Sequence, residues 1–405
     1  MLNKDGQREL AYVVAIDEIR PIEGYDRVEY ARVGGWWVIV RKDQFKVGDL
    51  AIYIEVDSRV PEQEPFMFLD KRNFKVKTLK MCKVISQGLL MSPEDFGWVV
   101  NGDHISFADG GLDSYVMVGD FLTQKLGITY ADAEDNKRKA NSEDKYKKMA
   151  QRNGKLFSKQ PFRWLMKRDW GKKLLFIFFG KKKDKKNGWP TWVVKTDEER
   201  CQNMPWLFPG NPDEEYFATE KVDGTSTTFT MKGFKKKREF FVCSRNVVFD
   251  KPEKECYYDT NVYLEMAEKY NVEEVLASIL DDHADELEFV TMQGETYGEG
   301  VQKRDYGLKG HDFKAFNLIF GYKTGEVKRL NPREMTDFLS AYDIPCVAIV
   351  DEHFIIPATC DELLAAAGGV STIDGGMREG LVFRSYDGVK SFKAVDNNFL
   401  LKYHG

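Results

Sequence analysis

The stretch "TEKVDGTS", residues 219–226, sets Lys221 two places before the Asp223-Gly224 pair, after an acidic residue and ahead of a hydroxyl-rich run. Such a lysine is either a solvated strand residue beside a turn or a nucleophile. Nucleophilic attack needs the neutral amine, and a free lysine, with a pKa of about 10.4, is almost wholly charged at neutral pH. Burial, a neighbouring cation or a metal ion lowers that pKa, and lysine is a side chain that shifts readily. One K-x-D-G pattern occurs by chance in many proteins, so the residues that follow it carry the weight. They are, in order, Ser244-Arg245-Asn246, Gly294-Glu295, Phe316-Asn317, Glu379-Gly380-Leu381-Val382 and Ser391-Phe392-Lys393. Taken singly, Glu295 and Glu379 read as exposed strand residues and Phe316 as core.

This ordered set resembles the segments called motifs I, Ia, III, IIIa, IV and V of the covalent nucleotidyltransferases, the superfamily of polynucleotide ligases and RNA capping enzymes. Within it the chain is similar to the ATP-dependent RNA ligases that carry an OB module ahead of the nucleotidyltransferase domain, and "KTDEERCQN", residues 195–203, fits that branch. The motif resemblance spans residues 189–405, and the OB module accounts for roughly the first hundred.

The resemblance implies roles. Lys221 would attack the α-phosphorus of ATP, release pyrophosphate and form lysyl-N-AMP. Lys393 would contact the α-phosphate. Related ligases often carry a second lysine two residues on, but Val395 stands there, which leaves Lys390 and Lys402 as candidates for the second cation. Glu295 and Glu379 would hold a hydrated Mg²⁺ or Mn²⁺, hard cations that take oxygen ligands. Arg245 would serve the ribose or the substrate's terminal phosphate and hydroxyl, and Phe316 would stack on adenine. Glu220 would accept the adenine 6-amino group and so select ATP over GTP, although strict alternation puts it on the face opposite Lys221 unless the strand bends. Asp223 and Gly224 would shape the turn that presents Lys221, with Asp223 acting in later steps.

The implied reaction continues with AMP passing to a 5′-phosphate end and a 3′-hydroxyl displacing AMP. The expected partner is a nicked duplex with RNA on the 3′-hydroxyl side, recognised through 2′-hydroxyls or A-form shape. DNA ligases and GTP-using capping enzymes normally carry an OB domain after motif V. Only about a dozen residues follow Lys393, so neither is expected. A catalytically silent nucleic-acid-binding protein would have lost motif residues, and here all are present except the second motif V lysine.

These groups lie far apart in sequence, so an extended sheet framework must bring them together. The expected fold is α+β: an N-terminal OB-type β-barrel over 1–110, a basic and partly helical linker over 111–188, and a nucleotidyltransferase domain over 189–405 built of ATP-grasp-like antiparallel sheets with flanking helices. In the first part, "YARVGGWWVIVRK" reads as two strands broken at Gly34-Gly35, and "FKVGDLAIYIEVDSRVP" alternates with Ile52, Ile54 and Val56 on one face. One of Trp36 and Trp37 is expected in the core, and the other is free to stack on a base. In the last part, helical periodicity sits at 262–280, about 332–341 and about 361–367.

The formal net charge of −5 hides a strong polarity. Between Lys137 and Asn187 nineteen lysines and arginines stand against four acidic residues. Such an excess suggests a polyanionic partner, because phosphate neutralisation releases counterions. "LLFIFFG" inside this stretch is too short to span a bilayer. The six cysteines include no C-x-x-C pair, and the start lacks the apolar core of a secretory signal. A cytoplasmic monomer without membrane attachment is expected.

Overall fold

The chain was studied as a computed structural model, which describes residues 8–107, 115–130, 189–196, 198–233, 237–245, 247–249, 258 and 260–404, with isolated helical positions at 162, 165 and 175. The basic 137–187 stretch, expected to be helical, otherwise lies outside the described residues, as does Asn246.

The N-terminal domain is built of short strands: β1 (Ala11–Ala15), β2 (Glu18–Ile22), β3 (Tyr25–Val33), β4 (Trp36–Arg41), β5 (Leu50–Ile54) and β6 (Leu89–Met91). β5 pairs with both β1 and β6, and β3 lies between β2 and β4. Gly34, in the left-handed region, makes the tight turn between β3 and β4. Trp36 is buried, whereas Trp37 is half-buried and stacked on Tyr30. β5 is buried at all five positions rather than on one face. The reason is that it separates two cores: Ile52 and Ile54 pack with Val13 and Phe66, while Ala51 and Tyr53 pack with Trp36 and Val38.

The C-terminal domain holds two sheets. One runs in the order β7-β15-β14-β8-β13, formed by β7 (Glu199–Arg200), β8 (Glu215–Lys221), β13 (Ile349–Ile355), β14 (Gly380–Ser385) and β15 (Ser391–Val395). The other centres on β10 (Glu239–Ser244), β9 (Thr225–Lys232), β11 (Leu287–Gly298) and β12 (His311–Tyr322), adjacent in that order, with short edge strands at 248–249 and 327–329. Helices α1 (Val262–Lys269), α2 (Val272–Asp282) and α3 (Pro332–Ser340) cover the second sheet, and α4 (Cys360–Ala367) covers the first. The periodic run 262–280 is thus two helices, because Asn271 adopts the left-handed conformation between them. α3 and α4 start on capping boxes, Asn331 with Glu334 and Thr359 with Glu362.

The two domains meet at Asn203. Its Oδ1 accepts from Trp36 Nε1 at 2.7 Å, and its Nδ2 donates to Glu55 at 2.8 Å and to Glu199 at 2.5 Å.

Candidate functional site

The carboxyl end of β8 fixes the geometry. Antiparallel pairing sets Lys221 opposite Gly380 of β14, which brings the preceding residue, Glu379, to the lysine. Lys221 Nζ donates to Glu379 Oε2 at 2.7 Å. β15 pairs with β14 and sets Lys393 opposite Val382. After the turn at 222–224, β9 carries Ser226 opposite Glu295 of β11 and Thr227 opposite Ser244 of β10, so Arg245 follows at the end of β10. On β12 the pairing slips between Asn317 and Ala315, leaving Phe316 as the extra residue of a bulge that re-aims its side chain.

A cavity of about 680 Å³ opens between the two sheets. Of the residues proposed from sequence, Glu220, Lys221, Gly224, Arg245, Glu295, Phe316 and Lys393 line it. Glu379 reaches it through Lys221, and Asp223 is buried in the turn, with its backbone N–H donating to Tyr306 Oη at 2.7 Å. Glu220 and Lys221 both line the cavity although they are sequence neighbours. β8 is irregular where it pairs with β13, with register shifts around Ala218.

Two of the proposed cations do not line the cavity. Lys390 precedes β15 at the end remote from Lys221 and pairs with Glu214 at 2.5 Å, while the Lys402 ammonium lies 4.9 Å from the Tyr403 ring centre. Val395 is buried with Ile85 and Leu400. The additional cations lining the cavity are instead Arg384 and Lys303. Arg384 donates to Phe316 O at 2.8 Å and to Glu198 at 3.3 Å. An arginine two residues after Val382 on an apolar strand was the available sequence signal, since alternation gives both the same face. Asp57 of the N-terminal domain and Tyr130, expected in the linker but paired with Ser58 of that domain, also line the cavity, and Arg245 donates to Tyr130 Oη at 3.2 Å. No local motif announced them.

Electrostatics here oppose one another. Burial is the largest influence on Lys221 and pulls its pKa down, but Glu379 first, then Glu295 and Asp223, outweigh it and hold the ammonium above its ordinary value. Burial likewise pushes the Glu295 carboxyl up to about 8, with Glu379 and Asp223 adding to the rise and Lys221 and Arg245 opposing it. The corner thus gathers the carboxyl oxygens of Glu295, Glu379 and Asp223 around the Lys221 ammonium. That donor set suits a divalent cation that keeps part of its water shell. Among the described residues no group of three or more His, Cys, Asp or Glu is arranged as a ready metal cage, so waters or phosphate oxygens would complete the coordination.

Comparison with known proteins gives a consistent placement. Residues 10–93 match an OB-fold domain family and residues 214–404 match the RNA ligase family. No curated protein sequence matches the chain. Among solved structures it is similar to the Naegleria gruberi RNA ligase. A lysine-to-alanine mutant of that enzyme with ATP and manganese superposes with a TM-score of 0.67 at 25% identity, over 98% of this chain and 99% of that one. The same enzyme with pyrophosphate gives 0.66 at 26% identity and the same coverage, and a lysine-to-methionine mutant with AMP and manganese gives 0.67 at 25%, again with that coverage.

Proposed function

Because residues 214–404 belong to the RNA ligase family, we propose that this chain, an RNA ligase, works through a lysyl-AMP intermediate on Lys221 and seals nicks whose 3′-hydroxyl strand is RNA. The observation that carries the reading is the Lys221–Glu379 contact at 2.7 Å at a cavity also lined by Glu295, Arg245 and Lys393, with Glu220 and Phe316 among the other lining residues.

In the first step the neutral Lys221 amine attacks the α-phosphorus of ATP. A P–N bond forms, the bond from the α-phosphorus to the bridging oxygen breaks, and pyrophosphate leaves. Lys393, which lines the cavity, would neutralise charge on the α-phosphate, and Phe316 and Glu220 would hold the base. In the second step a 5′-phosphate oxygen of the nick attacks the same phosphorus and displaces Lys221, giving an adenylated end. In the third the 3′-hydroxyl attacks the 5′-phosphorus, a phosphodiester forms and AMP leaves. Positioning and charge neutralisation supply most of the rate in such transfers.

Lys221 must lose a proton before attack, and the surrounding carboxylates hold that proton. Mg²⁺ or Mn²⁺ held by Glu295 and Glu379 would withdraw their negative charge from Lys221 and favour the neutral amine. The cysteine pattern, with no C-x-x-C pair, supports the reducing cytosol as its compartment. Among the described residues no helix is long and apolar enough to cross a membrane.

The test is incubation with α-³²P-labelled ATP, or separately GTP, plus Mg²⁺ or Mn²⁺, followed by a denaturing gel. Label from ATP should survive denaturation in the wild type and vanish in Lys221→Ala. Folded wild-type protein that takes label from neither nucleotide would point to a silent binding protein instead.

A further inference from the structure

Glu220 is 2% exposed, and a buried carboxylate must have its oxygens satisfied. Its partners all come from one short loop. Ser371 Oγ donates to Oε1 at 2.6 Å, while Thr372 donates to Oε2 twice, from its backbone N at 2.9 Å and from Oγ1 at 2.5 Å. An ionised carboxylate offers about four acceptor positions. Three are filled, and the one that remains lies on Oε1.

The loop that supplies these donors, residues 369–378, is held from several sides. A bridge pairs Val370 with Met377, Ser371 N donates to Gly376 O at 2.7 Å, and Arg378 N donates to Gly369 O at 2.8 Å. Arg304, itself 4% exposed, bonds both Asp374 and the carbonyl of Met377. The loop's Ile373 packs in the apolar cluster that contains Val222, Val347 and Phe316. It therefore touches both Glu220 and the cluster of Phe316, and it leads directly into Glu379, the partner of Lys221.

We infer that Ser371 and Thr372 are positioning residues for base selection: they orient the Glu220 carboxylate so that a single acceptor position on Oε1 receives the exocyclic 6-amino group of the nucleotide. The inference rests on the reading above in which Glu220 reads adenine. One remaining acceptor site matches one N–H of a 6-amino group. A 6-oxo group would present an oxygen to an oxygen there and leave the carboxylate position unfilled. A site built to bond a polar group discriminates strongly against analogues lacking it, because its own buried groups are then unpaired. Discrimination of this kind requires that the carboxylate not rotate, and the two hydroxyls and one backbone N–H prevent rotation.

The test compares lysine adenylylation by ATP with that by purine riboside triphosphate, which lacks only the 6-amino group, as a ratio of kcat/KM values. Wild type, Ser371→Ala, Thr372→Val, the double variant and Thr372→Ser are measured with the full-length protein. The wild type should prefer ATP by about tenfold or more. The double variant should bring the ratio toward one, mainly through a higher KM for ATP, and Thr372→Ser, which keeps the hydroxyl, should retain the wild-type ratio. A wild-type preference that persists unchanged in the double variant and both single removals overturns the positioning role while leaving Glu220 as the reader. A wild-type ratio near one overturns the reading of Glu220 itself, and the positioning role with it. Because the ratio is taken within each variant, a general loss of stability affects both nucleotides alike and does not imitate the expected result.

Discussion

At the scale of single residues, Glu295 is governed first by burial, with Glu379 and Asp223 adding to its effect and Lys221 and Arg245 opposing it. Its carboxyl is raised from 4.5 to about 8, which makes the charged form a liability for folding. Below about pH 4.5 the group is protonated folded and unfolded, and it has no effect on stability. Between that value and about 8 the unfolded chain releases the proton while the folded chain keeps it, so the contribution of this group falls as pH rises. Glu295→Gln removes the loss. In metal-free buffer the variant should match the wild type near pH 4.5 and exceed it in melting temperature as pH approaches 8, the gap growing by at most about 1.4 kcal/mol per pH unit. Adenylylation should fall at the same time, as expected where a site holds groups that function needs and folding does not. Thermal unfolding of the two proteins across that range checks it; a gap that does not change with pH would remove the assignment.

At the scale of elements, β8, β14 and β15 hold the nucleophile, its carboxylate and the second lysine through backbone register. Gly380 opens β14, the strand that lies between the other two. It stands opposite both Lys221 and Val395, and a Cβ added there would lie 2.2 Å from the Ala394 carbonyl oxygen and 2.9 Å from Val395 Cα. Those are backbone atoms that cannot swing aside. Gly380→Ala should therefore cost about 1–3 kcal/mol by overpacking and displace Glu379 from Lys221. The expected outcome is a lower melting temperature together with loss of lysine labelling. A variant with wild-type labelling would mean that the register is not what holds Glu379. The glycine was visible in sequence as part of Glu379-Gly380-Leu381-Val382, but the reason for it was not, because the atoms it spares belong to β15, more than ten residues later.

At the scale of the whole molecule, the N-terminal barrel is part of the cavity wall, through Asp57 and through Tyr130, which pairs with its Ser58, and Asn203 fastens it. One amide bonds Trp36 and Glu55 of the barrel and Glu199 of the C-terminal domain. Asn203→Ala would leave the buried indole N–H and the Glu55 carboxylate short of partners, a cost of about 1–3 kcal/mol. The variant should unfold at lower temperature and be cut more readily between the domains by a protease, and ligation should fall more than does the binding of free AMP. Unchanged proteolysis and ligation would show that the Asn203 bonds do not hold the domains in place.

Sequence by itself determined the nature of the chemistry and most of the framework. Lys221, Glu379, Glu295, Lys393 and Phe316 were nameable because, taken in order along the chain, they match the motif residues of a known superfamily, and α3 and α4 were marked by periodicity. Only the tertiary structure decided the charge state of the site and its remaining walls. Burial would lower the Lys221 pKa, but Glu379 and Glu295, far from it in sequence, converge on it and raise it, and no residue count foretells that balance. Phe316 faces the cavity because of a bulge between β11 and β12, a feature of pairing and not of composition. Lys390 and Lys402 lay outside the cavity while Arg384, Tyr130 and the Ser371-Thr372 pair proved to be close to the reactive groups, since loop paths and domain docking are set by long-range packing that local patterns do not encode.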